Sequence, residues 1–118
     1  MKQLKLYSFM VKDILSGKKT KTWRMFDEKD LSTGDEIEFV SQETEEFITF
    51  AKITDVKVKK FGDIEGADFD GHNPYPSREA MLETYRGYYG DKVDWNTQIK
   101  MLTFELEKQN TTENNETV

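Results

Sequence analysis

Three side chains near the N-terminus have the types and spacing to act together: the amine of Lys19, the hydroxyl of Thr22 and the guanidinium of Arg24. They follow an apolar stretch, Ile14-Leu15, and Gly17, so a helix, a glycine stop and a strand join with no spare residues. Such a joint is rigid. On the strand, Thr20, Thr22 and Arg24 share one face while Lys21 and Trp23 take the other, so amine, hydroxyl and guanidinium can converge on one pocket. The local charge suits an anion there. Residues 1–24 hold seven lysines and arginines against Asp13 alone, a net +6, which leaves −12 for the rest of a chain whose total is −6. Each residue also has an ordinary role open to it. Lys19 can neutralise the C-terminus of the preceding helix, Thr22 can be a plain strand former, and Arg24 can pair with a carboxylate inside the fold, Asp70 or Glu65.

The elements that must hold these groups are short. Lys2 to Tyr7 reads as a strand with Leu4 and Leu6 on one face, and Ser8 as the cap of a helix to Ser16 carrying Phe9, Met10, Ile14 and Leu15 at helical spacing. Lys19 to Arg24 is the threonine-rich strand. Ser32-Thr33-Gly34-Asp35 is a turn that launches a strand over Glu36 to Ser41. Phe47 to Lys60 alternates over a longer run, one bent strand or two joined by a bulge. Residues 63–76 are rich in glycine, aspartate and proline and read mostly as loop. Ser77 caps a helix to Tyr85, Gly87 and Gly90 punctuate an aromatic turn, and Ile99 to Leu106 is the last strand. The polar, asparagine-rich residues 108–118 are too hydrophilic to order themselves, which predicts one domain over 1–107 and a disordered tail. Many short strands with few helices point to an α+β fold that is mainly β, a small barrel or strongly curved sheet with its function at a mouth.

Composition narrows the chemistry. A chain of 118 residues fits one domain, and 36% hydrophobic with 34% charged residues leaves a modest core under a solvated surface. The absence of cysteine excludes disulfides, thiolate metal sites and thiol nucleophiles. One histidine, His72, argues against a histidine-based metal centre, so no metal and no cofactor is expected. The lysine-leucine alternation of residues 1–7 is neither a signal peptide nor a membrane anchor, which makes a cytoplasmic monomer the default.

The run Gly17-Lys18-Lys19-Thr20-Lys21-Thr22-Trp23-Arg24 resembles the ASCH family, whose members open with an apolar helix, a Gly-Lys-Lys-Thr-like turn and a Thr-x-Arg strand. The likeness extends to Gly34-Asp35, to Ala67-Asp68-Phe69-Asp70-Gly71 where the family has Ala-x-x-Glu-Gly, and to an aromatic-rich helix before a final strand. It implies a PUA-like β-barrel of about five to six strands with two or three flanking helices, and a pocket for nucleoside or RNA ligands. In small bacterial members it implies hydrolysis of the amide of N(4)-acetylcytidine. On that likeness Thr22 supplies the oxygen nucleophile, Lys19 activates it or stabilises the oxyanion, and Asp70, standing where those hydrolases have glutamate, handles the proton for the leaving amine. Glu65 lies in the same loop and can substitute for it. Arg24, Lys21, Trp23 and Glu65 then contact substrate. The alternatives are a non-catalytic RNA-binding module and a ribonuclease, against which the lone histidine counts. Trp23, Tyr85, Tyr88 and Tyr89 either stack a base or fill the core, Tyr75 and Trp95 line the mouth, and His72 reads as a loop residue without catalytic duty.

Overall fold

The computed structural model describes residues 1–107. The tail expected over 108–118 lies outside the described residues. Five strands form one sheet: β1 (Lys2–Leu6), β2 (Lys21–Met25), β3 (Glu36–Ser41), β4 (Phe47–Lys60) and β5 (Gln98–Leu106), in the spatial order β1-β3-β4-β5-β2. Only the β1–β3 pair is parallel. The sheet curls into a half-barrel, with helices α1 (Ser8–Leu15) and α2 (Arg78–Tyr89) packed against it.

Alternation along the strands divides the core between two faces. One face gathers Leu4, Leu6, Ile37, Phe39, Ala51, Ile53, Leu102 and Phe104 around Ile14 of α1. The other gathers Trp23, Met25, Ile99 and Met101 under Met81 and Tyr85 of α2. β4 keeps this division over fourteen residues because its register against β5 slips between Ile53 and Asp55. The extra residue re-phases the pleat, so Val56 and Val58 lie opposite Leu102 and Lys100 while Lys57 and Lys59 turn to the far face. The run is thus one strand with a bulge.

At three boundaries the difference from the sequence reading exceeds a residue or changes a role. Ser8 is the first helical residue, without a capping role; its N–H donates to Glu43 Oε2 at 3.2 Å from across the fold. β2 begins at Lys21: the N–H groups of Thr20 and Lys21 both donate to Gly71 O, at 2.8 and 3.0 Å, while the Thr20 carbonyl accepts from the Phe104 N–H of β5 at 3.0 Å. α2 continues through Gly87 to Tyr89 and stops at Gly90, whose φ is +98°. The apolar stripe Met81-Tyr85-Tyr88 continues at helical spacing, and its packing outweighs the roughly 1 kcal/mol that an internal glycine costs. Ser77 caps α2 as expected, accepting from the Ala80 N–H at 3.0 Å. The 63–76 stretch follows a short 3-10 turn at Phe61–Asp63 and holds another at Gly66–Phe69.

Candidate functional site

The pairing of β2 with β5 places Thr22 opposite Leu102 and Arg24 opposite Lys100. The face that is wholly apolar at the β1–β3 side therefore turns polar at its β2 edge. Arg24 reaches in two directions from there. Its Nε donates to Thr22 Oγ1 at 3.2 Å, and its Nη2 donates to the Lys5 carbonyl of β1 at 3.1 Å. No ladder joins β1 to β2, so this guanidinium spans the seam where the half-barrel remains open. Burial holds Arg24 below its usual pKa, against the pull of the Tyr89, Tyr85 and Tyr88 phenols.

Lys19 leaves the glycine joint and turns inward. Gly17 takes φ +84°, the Lys19 N–H donates to Asp13 O at 2.9 Å, and the residue is 4% exposed. Its Nζ donates to Asn73 Oδ1 at 3.0 Å. Burial, then the neighbouring Arg24 charge, lower its pKa to about 8, with Asp13 pulling the other way. The loop that brings Asn73 is pinned through Gly71, whose carbonyl receives the two N–H groups of the joint. His72 stacks on Trp23 with centroids 3.8 Å apart and planes 14° apart, and its Nδ1 lies 2.9 Å from the Asn73 carbonyl. A carbonyl only accepts, so the ring proton sits on Nδ1. Burial and the Lys19 charge push His72 down to about 3 and keep it neutral.

Two contact groups result: Arg24 with Thr22 on one face of β2, and Lys19 with Asn73 in the loop whose His72 stacks on Trp23 on the other. Neither includes Asp70. That residue is exposed on its turn, and its carboxylate makes no hydrogen bond among the described residues. Glu65 is also exposed and pairs with Lys59 at 3.2 Å. The buried acid of this loop is Asp68, which accepts from Lys59 Nζ at 2.7 Å and the Glu65 N–H at 2.8 Å. The expected pairing of Arg24 with a carboxylate inside the fold is not found either, because the two candidate acids face solvent. Lys21 is half-buried beside Gly71, and Trp23 is a core residue whose Nε1 has no hydrogen-bond partner among the described residues. His72, read from sequence as an idle loop residue, is buried against the site. Its place directly after Gly71, with Asn73 next, was the available signal.

Three cavities open beside Arg24, one of about 290 Å³ reaching Met25, Phe26 and Glu28. A cleft of about 150 Å³ lies along the seam between Lys5, Tyr7, Trp23, Tyr85 and Tyr88, with Tyr7 and Tyr88 stacked at 5.2 Å. A larger one, about 400 Å³, lies on the polar part of the sheet face between Phe26, Asp27, Gln98 and Lys100. Asp27 and Lys100 pair at 2.7 Å on its wall. Among the described residues no cluster of histidine and acids could hold a metal, and no helix is long and apolar enough to cross a membrane.

No family model matches the chain, and no curated protein matches it by sequence. Solved structures do. The crystal structure of an ASCH domain from Lactobacillus crispatus superposes with a TM-score of 0.67 at 12% identity, covering 89% of this chain and 79% of that one. The crystal structure of an ASCH S128A mutant protein from Zymomonas mobilis gives 0.64 at 15% identity, over 87% and 66%. A crystal structure of a hypothetical protein gives 0.70 at 24% identity, over 91% and 100%. The chain has an ASCH-like fold.

Proposed function

We propose that this chain binds a nucleoside or RNA ligand at the seam between β1 and β2, with Arg24 and Lys19 receiving its anionic or electron-rich group. One observation carries the reading. Lys19 and Arg24 are two cations near enough for the Arg24 charge to lower the Lys19 pKa, and among the described residues neither has a carboxylate within ion-pair distance. Uncompensated charge beneath a protein surface is costly, and a ligand that brings the missing negative charge recovers that cost on binding. The basic N-terminal segment steers an anion toward the seam.

A second reading, amide hydrolysis of an acylated nucleoside such as N(4)-acetylcytidine, is favoured by Lys19. An amine with a pKa of about 8 is partly unprotonated at neutral pH and can take the proton of a threonine hydroxyl. In that reaction the Thr22 oxygen attacks the acyl carbon, the cations hold the oxyanion, and water releases the acyl group from Thr22. Asp70 would have to swing inward to protonate the leaving amine.

The test is binding of a single-stranded RNA hexamer and turnover of N(4)-acetylcytidine by wild type, Arg24→Ala and Thr22→Ala. Binding lowered about tenfold or more by Arg24→Ala supports the seam as the site. Turnover abolished by Thr22→Ala, with melting temperature retained, supports the hydrolase. Wild type without turnover but with Arg24-dependent binding leaves the binding module.

A further inference from the structure

Among the described residues, three other than glycine adopt positive φ: Asp30, Glu45 and Phe26, the last at +52°. Aspartate in a turn enters this region readily, whereas a bulky aromatic does so against steric resistance. Phe26 does not earn its place by burial, since it remains 43% exposed. Lys92 Nζ lies 4.2 Å from its ring centroid and Tyr89 meets its edge, so the ring is held in a defined orientation at the surface. It forms part of the wall of the 400 Å³ cavity and of a second, of about 290 Å³. Arg24 and Asp27 line both. A strained, exposed, oriented ring beside a 400 Å³ cavity has the properties of a contact surface rather than a core residue.

We infer that Phe26 is a stacking platform for the base of a nucleotide whose phosphate is taken by Arg24, the base lying in the cavity between Phe26, Gln98 and Lys100. This rests on the ligand class proposed above and locates the base outside the tyrosine cleft. The volume is within the range of small-molecule sites, and the cleft of about 150 Å³ is below it. The polar groups suit a base edge. The Gln98 amide is exposed and makes no side-chain hydrogen bond among the described residues, so it has both donors and an acceptor to offer.

Glycine is the residue best suited to φ +52°, which makes Phe26→Gly a substitution that relieves the backbone while removing the ring. The experiment measures binding of cytidine monophosphate, ribose 5-phosphate and a uridylate hexamer to wild type, Phe26→Gly, Phe26→Leu and Arg24→Ala, together with their melting temperatures. Expected are tighter binding of cytidine monophosphate than of ribose 5-phosphate by wild type, and a loss of about tenfold for the nucleotide in Phe26→Gly with the sugar phosphate unchanged. Phe26→Leu, which keeps apolar bulk without an aromatic face, shows the same loss and guards against a folding defect in the glycine variant. Loss confined to the hexamer supports the platform with RNA as its ligand. Nucleotide and hexamer binding unchanged in both Phe26 variants, while Arg24→Ala weakens it, overturns the platform and leaves the seam reading intact. If wild type binds neither nucleotide nor hexamer, both fall.

Discussion

An amine and an imidazole share one wall of this site, and both are held in the folded state with less affinity for protons than they have in water. Lys19 falls from 10.5 to about 8 and His72 from 6.5 to about 3. For each, the unfolded chain binds the proton more tightly, so stability rises with pH through the window between the two values. The His72 window is pH 3 to 6.5; Asp27 and Asp68, carboxyls held below their usual 3.8 against the effect of burial, add a rise of the same sign only at its acid end, below about pH 4. The Lys19 window opens at about pH 8. It is cut short near 10, where the buried phenols of Tyr75 and Tyr85, raised by desolvation, turn the slope downward. Urea denaturation from pH 4 to 10 should show both rises. His72→Phe, which keeps a ring against Trp23, should shrink the acid rise. Lys19→Met should flatten the alkaline one and stabilise the protein at pH 7 by about 2 kcal/mol. The Thr22–Arg24 contact was legible because the two residues stand two positions apart on one strand face. Asn73 was not, since it lies 54 positions from the lysine it receives.

The element that completes the site is the loop after Asp68, and Gly71 is its fastening. Its φ is +79°, and an added Cβ would overlap Thr20 Oγ1. Gly71→Ala should therefore force the loop off the β2 joint, destabilise the protein by about 2 kcal/mol and lower the melting temperature by about 10 °C. It should also return Lys19 toward its ordinary pKa, read as loss of the alkaline rise. A melting temperature within a degree or two of wild type would mean the loop is not pinned there. Alternation made β3 and β5 plain in the sequence, and Ser77 marked the start of α2. The joint was harder. Thr20 has a strand former's side chain, but its N–H is taken by Gly71 instead of a neighbouring strand, a choice made 51 residues downstream.

At the scale of the molecule, the basic segment sits within an acidic remainder, so the field near the seam differs in sign from the average. Lys18→Glu or Lys21→Glu should slow association of an RNA hexamer several-fold at low ionic strength and hardly at all at 0.5 M salt, measured by stopped-flow fluorescence. Equal rates at low salt would remove steering from the account. Fold class was legible from many short runs separated by turn residues, and strand order was not, because pairing between distant strands leaves no mark on either alone. That order has a kinetic consequence. β2 has a single hydrogen-bonded neighbour, β5, so Lys21 waits for Thr103 and Arg24 for Lys100. β1, β3 and β4 can pair as soon as residue 60 is available. The strand bearing Thr22 and Arg24 cannot join them until nearly the whole described chain has been made, and closing so long a loop is among the slow events in folding. During synthesis, then, the strand bearing the proposed ligand site is the last part of the sheet to come into being.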